Sequence, residues 1–210
     1  MVSGDIQHNI LDIARSVLET EAASISSLVE QLDEGFEKAV EIMLDAKGHV
    51  VVMGLGKSGH VGRRLAATLA STGTPAFFVH AAEALHGDLG MITNKDVVLA
   101  ISNSGETEEI LRILPTIRRM GTKVISMTAD RDSNLGRMSD AVLKCRVERE
   151  ADPLNLAPTS SSAASLAMGD ALAVALMSVR GTTSRDFHRL HPGGSLGKKL
   201  AGSACNVVPE

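Results

Sequence analysis

The sequence predicts an α/β fold, a three-layer sandwich built on a mainly parallel, five-stranded sheet with helices on both faces. Three observations predict it. Short continuous apolar runs recur at Val50–Met53, Ala76–Val79, Val97–Ile101 and Lys123–Met127, with Ala141–Leu143 as a candidate fifth, and such runs suit strands buried on both faces. Helical stretches separate them, at about 59–72, 106–120 and 133–139, and this alternation argues a parallel sheet. Two of the runs end in loops rich in Gly, Ser or Thr that open a helix, the place where open α/β sheets bind ligands.

Taken in order, roughly the first 46 residues read as two helices of the same domain. Ile6, Ile10, Ile13 and Val17 fall at helical spacing, as do Leu28, Leu32, Phe36 and Val40. Preceding the first strand, they are placed to pack on the sheet or on another subunit. Residues 47–200 form the body of the domain and 201–210 a tail. After the fifth run, residues 145–158 carry Pro153 and Pro158 and read as an irregular loop. A helix at about 159–180 follows, with Ala163, Ala164, Ala167, Gly169 and Ala173 allowing close approach of a neighbour. No internal repeat or second domain is visible.

Composition removes several classes of function. A chain of 210 residues with 44% hydrophobic residues is long and apolar enough for a buried core. The net charge of −4, with no basic block, argues against nucleic-acid or membrane-surface partners. Trp and Tyr are absent, so stacking platforms for single strands are missing. The N-terminus carries Asp5 and Asp12 and no apolar core of a secretory signal. No apolar run reaches the ~18 residues needed to span a bilayer. Cys145 and Cys205 lie in neither a CxxC pair nor zinc-ligand spacing, as expected of a reduced, cytoplasmic protein.

The first ligand loop is Gly54-Leu55-Gly56-Lys57-Ser58-Gly59. Its glycines permit close ligand approach, and the helix N-terminus after it favours an anion. The loop is literally GxGxxG, so a dinucleotide site is an alternative. That site would want an acid at the end of the second strand, where this chain has Phe78-Val79-His80 and no acid before Glu83. A Walker A loop fails, because Val51 stands where its first glycine would be. The second loop, Ser102-Asn103-Ser104-Gly105-Glu106-Thr107, puts three hydroxyls and a glycine at a helix start. That suits a phosphate cradle, though a single capping hydroxyl would satisfy a plain helix start. Ala157-Pro158-Thr159-Ser160-Ser161 makes a third hydroxyl-rich helix start.

Together, GLGKSG from Gly54, HGDLGMI from His86, SNSGETEEIL from Ser102, LAPTSSSAASLAMGDALA from Leu156 and HPGGSLG from His191 resemble the sugar-isomerase (SIS) family. Within it, the chain is similar from about residue 45 to 200 to the isomerase domain of the D-arabinose-5-phosphate isomerases. The resemblance implies the SIS fold and interconversion of D-ribulose 5-phosphate and D-arabinose 5-phosphate through an enediol, supplying Kdo for lipopolysaccharide or capsule. It implies no organic cofactor and no required metal. It carries over a catalytic set of Lys57, Glu109, Glu150 and His191, with Glu150 as the proton-shuttling base and His191 assisting ring opening. Lys57 would polarise substrate oxygens, and Glu109 would orient groups or share proton transfer. Gly56, Ser58, Ser102, Ser104, Thr107, Thr159 and Ser160 would bind phosphate or sugar hydroxyls. His86 would contact substrate, its counterpart in the family coming from a neighbouring subunit. His80 and His86 are candidates for an inhibitory zinc rather than a catalytic one. Glu106 and Glu108 read as solvated surface residues.

The same resemblance implies a homotetramer with sites shared between subunits, and pathway logic adds CMP-Kdo as a feedback ligand. Family members often continue past HPGGxLG into paired CBS domains, whereas this chain stops at Glu210, as a short form or as a chain cut at the domain boundary. Two alternatives stand beside the leading one: a SIS isomerase for another ketose phosphate, and a non-catalytic sugar-phosphate sensor.

Overall fold

The computed structural model describes residues 4–191, with side chains from residue 9 onward. Along the chain run α1 (Gly4–Ser26), α2 (Glu34–Asp45), β1 (Val50–Gly54), α3 (Gly56–Ser71), β2 (Ala76–His80), α4 (Ala81–Ala84), β3 (Val97–Ile101), α5 (Glu108–Arg119), β4 (Lys123–Thr128), α6 (Asn134–Arg137), β5 (Ala141–Lys144), α7 (Ser160–Val179) and α8 (Ser184–Leu190). All five expected strands form, and they pair in the order β2-β1-β3-β4-β5. Every pairing is parallel; Val52, for example, lies opposite Phe78 on one side and Leu99 on the other.

Strand side chains alternate between faces, and two cores result. Val50, Val52, Val97, Leu99, Ile101, Ile125 and Met127 face one layer, built from α2, α3 and α7. Val51, Met53, Val98, Ala100 and Val124 face the other, where α5 contributes Ile110, Ile113, Leu114 and Ile117. The central strands β1 and β3 are buried along their whole length, which is why they read as continuous apolar runs.

Leu28, Leu32, Phe36 and Val40 do not share one helix. The chain leaves α1, makes a short 3₁₀ turn at Val29–Gln31 and extends through Leu32 and Asp33 before α2 begins. The Asp33 carboxylate accepts the Gly35 N–H at 2.8 Å. An aspartate that can bond its own downstream backbone starts a new helix rather than continuing an old one. Sequence reading also missed α8, which carries a reciprocal capping box. Thr183 Oγ1 accepts the Asp186 N–H at 3.2 Å, and the Asp186 carboxylate accepts the Thr183 N–H at 3.0 Å.

By length and composition α7 is apolar enough to cross a membrane, contrary to the expectation that no segment is. Its packing accounts for the composition. Ala164, Met168, Leu172, Ala173 and Leu176 are buried in the first core, and α1, α2 and α3 also touch the helix. The approach of α3 depends on Gly169, where an added Cβ would stand 2.8 Å from Leu65 Cδ1. Gly169→Val is therefore expected to lower the unfolding free energy by about 1–3 kcal/mol through overpacking, as read from a urea titration with unchanged slope.

Candidate active site

A cavity of about 420 Å³ opens at the carboxyl ends of β1 and β3. The topology makes it. From β1 the chain passes through α3 to β2 on one side, and from β3 through α5 to β4 on the other. The two loops part and leave a crevice between them. A larger hollow of about 610 Å³ lies along α2 and the β5 edge, but its wall sets Glu34, Glu37, Glu41 and Asp140 against Lys38 and Arg131, and the excess of acids disfavours an anion.

The first loop supplies Leu55, Lys57 and Ser58 to the wall. Gly56 does not line the cavity; with φ of +54° it turns the chain into α3 in a region open mainly to glycine. The N-cap, Leu55, makes no side-chain capping bond, so the first N–H groups of α3 are left for solvent or a ligand.

The second loop supplies Ser102, Asn103, Ser104 and Thr107. Its hydroxyls are partly spent on the loop itself. Ser102 is buried; its Oγ lies 2.7 Å from Thr107 Oγ1 and accepts the Gly105 N–H at 3.1 Å. Ser104 is exposed, and its Oγ accepts the Glu106 N–H at 3.1 Å. Glu106 is not merely solvated: its two oxygens accept the Asn134 N–H at 2.8 Å and the Asn134 side-chain N–H at 2.6 Å. These bonds, the backbone one first, hold its carboxyl below the usual value and tie the loop to α6.

The third wall comes from the loop before α7 and that helix's first turns: Glu150, Asn155, Leu156, Pro158, Ser161, Ser162 and Ser165. Glu150 Oε2 accepts the Thr159 N–H at 2.8 Å, the Thr159 hydroxyl at 3.2 Å and the Ser161 N–H at 3.1 Å. Burial opposes the charge, but hydrogen bonds from the Ser161 hydroxyl and N–H, then from Thr159, outweigh it and hold the carboxyl below its usual value. The carboxylate thus caps α7, where the helix dipole also favours it.

Lys57, Ser58, Ser102, Ser104, Thr107 and Glu150 therefore meet as the motifs predict. Thr159 and Ser160 do not join them on the wall. Thr159 Oγ1 is engaged with Glu150 and with the Ala151 N–H at 2.8 Å, and Ser160 is fully buried. The hydroxyls that do face the cavity are Ser161, Ser162 and Ser165. Sequence reading missed them, although 161 and 165 share a face at i, i+4. Glu109 is half-buried in the first turn of α5, and His86 is exposed after α4; neither lines the cavity.

His191 follows α8, also away from the wall, stacked on Phe187 at 4.0 Å between centroids. Its Nδ1 lies 2.8 Å from the Phe187 carbonyl oxygen. A carbonyl can only accept, so Nδ1 donates, and in the neutral ring Nε2 keeps a free lone pair. Pro192 to Gly197 and Cys205 lie outside the described residues. Burial pushes the Cys145 thiol up to about 12, which removes it as a nucleophile. His80 ends β2, with Nδ1 buried and unpaired. Among the described residues, no three His, Cys, Asp or Glu side chains cluster closely enough to hold a metal.

Residues 42–175 match the SIS domain family, and the chain belongs to it. It is 54% identical over 187 residues to arabinose 5-phosphate isomerase KdsD of Pseudomonas aeruginosa, covering 89% of this chain and 57% of that one. It is 46% identical over 207 residues to arabinose 5-phosphate isomerase KpsF of Escherichia coli, covering 98% of this chain and 65% of that one. The chain thus spans less than two thirds of the length of these relatives. A structure of an E. coli CFT073 protein in complex with arabinose 5-phosphate superposes with a TM-score of 0.84 at 43% identity, covering 91% of this chain and all of that one.

Two outcomes follow from the geometry. At Gly105, φ is +67° and an added Cβ would run into the Ser133 side chain, so Gly105→Ala should displace the second loop and weaken inorganic phosphate binding at least tenfold, as measured by calorimetry. Glu150→Ala leaves the first N–H groups of α7 uncapped and should cost about 1 kcal/mol at pH 7. Because the folded-state pKa is lowered, this contribution is full above the unfolded carboxyl's pKa and is lost as pH falls through the folded value. Urea titrations should therefore show the wild-type and variant stabilities converging as pH falls below the ordinary carboxyl range.

Proposed function

We propose that this chain is an aldose–ketose isomerase interconverting D-ribulose 5-phosphate and D-arabinose 5-phosphate. The observation that carries the reading is the junction of Lys57 and Glu150 with the hydroxyl-lined second loop around one cavity. The E. coli relative solved with arabinose 5-phosphate and the relatives named arabinose 5-phosphate isomerases support it.

In this reading the phosphate sits at the second loop and the free helix N-termini, and the sugar chain runs toward Glu150. From the aldose, Glu150 takes the C2 proton while the C1 carbonyl oxygen gains one. The enediol forms, and return of the proton to C1 with loss of the C2 hydroxyl proton yields the ketose. Lys57 stabilises negative charge developing on the enediolate oxygens. Ser161, Ser162 and Ser165 offer hydroxyls to the sugar. Glu109, His86 and His191 stand off the cavity in one chain and enter the active site between subunits, with His191 Nε2 serving ring opening.

A homotetramer brings those groups together. The exposed Ile10, Leu11, Ile13 and Leu18 of α1, the last 67% accessible, give apolar surface for such contacts. The reaction is cytoplasmic, supplies Kdo biosynthesis, and needs neither an organic cofactor nor a metal. CMP-Kdo is its feedback ligand, which calorimetry against the same cavity tests.

Purified protein given ribulose 5-phosphate should accumulate arabinose 5-phosphate by NMR. Lys57→Ala, Glu150→Ala and His191→Ala should each lower kcat at least a hundredfold, while EDTA leaves the wild-type rate unchanged. Sugar-phosphate binding without turnover would overturn the reading in favour of a sensor.

A further inference from the structure

We infer that Asn155 is a positioning residue that clamps the backbone of Glu150 and so aims its carboxylate into the cavity. This rests on the proposed role of Glu150. Asn155 is the one described non-glycine residue with a positive φ, at +55°. That left-handed conformation disfavours most side chains and is best tolerated by asparagine. The turn holds itself there: Asn155 N–H donates to the Asp152 carbonyl at 3.1 Å. The Asp152 carboxylate accepts the N–H groups of Leu154, Leu156 and Ala157 at 2.8–2.9 Å.

The consequence is specific to Glu150. In this turn the Asn155 side chain folds back, and its Oδ1 accepts the Glu150 N–H at 2.7 Å. An N–H requires an acceptor, so the amide oxygen faces Glu150 and the NH₂ is left over on the cavity wall. The next residue, Ala151, is held as well, its N–H donating to Thr159 Oγ1 at 2.8 Å. Glu150 is thus gripped twice, by Asn155 at its backbone and by the first turn of α7 at Oε2. Neither of these grips uses Oε1, and the residue lines the cavity. With both grips in place, the carboxylate has a fixed direction. Asp152 and Asn155 therefore serve the same end, one shaping the turn and the other passing its shape to Glu150.

The test compares Asn155→Gly with Asn155→Asp. Glycine adopts the left-handed backbone more readily than asparagine, so folding and Tm should be kept while the acceptor is lost. Aspartate restores the acceptor. Asn155→Gly should lower kcat roughly tenfold with KM within about twofold, because a displaced base loses rate more than binding. Asn155→Asp should recover most of the rate, with the acid limb of its pH profile moved upward by the added negative charge. Equal rates in wild type and Asn155→Gly, or equal losses in both variants, would overturn the inference.

A second readout does not depend on turnover. In carbon-detected NMR titrations, the Glu150 carboxyl should titrate at higher pH in Asn155→Gly than in wild type, since a loosened Glu150 leaves the first turn of α7. Unchanged titration would overturn the clamp. A wild-type protein without isomerase activity would instead overturn the proposed function, and this titration would still decide the clamp.

Discussion

Strands β1 and β3 are neighbours, and the chain leaves their carboxyl ends toward opposite faces of the sheet, into α3 on one and α5 on the other. No loop can cover the gap between them, so it stays open as a crevice flanked by two helix N-termini. Neither N-cap, Leu55 or Thr107, makes a side-chain capping bond, which leaves both helix ends free to meet an anion. The carboxylate has to come from elsewhere. Strand β5 ends at Lys144, two strands away from β3, a displacement of roughly 10 Å at ordinary strand spacing. The irregular segment after it has ample length to return across the sheet, deliver Glu150 and Asn155 to the crevice and start α7. Helix α7 then locks against α3 at Gly169, so the third wall is registered to the first through the core.

The sheet was legible because burial on both faces leaves a plain trace, an unbroken apolar run, and all five such runs are strands. The ligand loops were legible because helix starts demand particular residues. What escaped reading depends on contacts that spacing does not encode. The hydrophobic positions of residues 28–40 keep helical spacing across a real break, since Leu28 and Val40 are both buried although the chain is extended at Leu32 and Asp33 starts a new helix. The third hydroxyl loop is legible as a helix start, but which of its hydroxyls line the cavity is not. Thr159 and Ser160 open the helix, and the facing of that helix, set by packing on the sheet, decides that Ser161 and Ser165, though buried, line the cavity. Glu106 escaped because its partner, Asn134, is 28 residues away. For Glu109, His86 and His191 the sequence offers motif position alone, and motif position fixes no distance to the cavity.

Glu150 joins two demands that pull against each other. As the cap of α7 it is held ionised, with its carboxyl below the usual value, and a carboxylate stabilised in that way is a weak base in water. Burial is nonetheless the largest single influence on it and acts in the opposite direction. While the cavity is open to water, that influence loses to the hydrogen bonds from Ser161 and Thr159. In the proposed reaction a sugar phosphate displaces the water lining the wall, and the balance shifts: the hydrogen bonds at Oε2 are already made and do not grow, whereas desolvation of Oε1 does. The proton affinity of the carboxylate then rises in the presence of the substrate carbon it must deprotonate. In that reaction, anchoring through Oε2 keeps the group charged and aimed while the cavity is open, and the part of the carboxylate outside that anchor is where the ligand acts on its basicity.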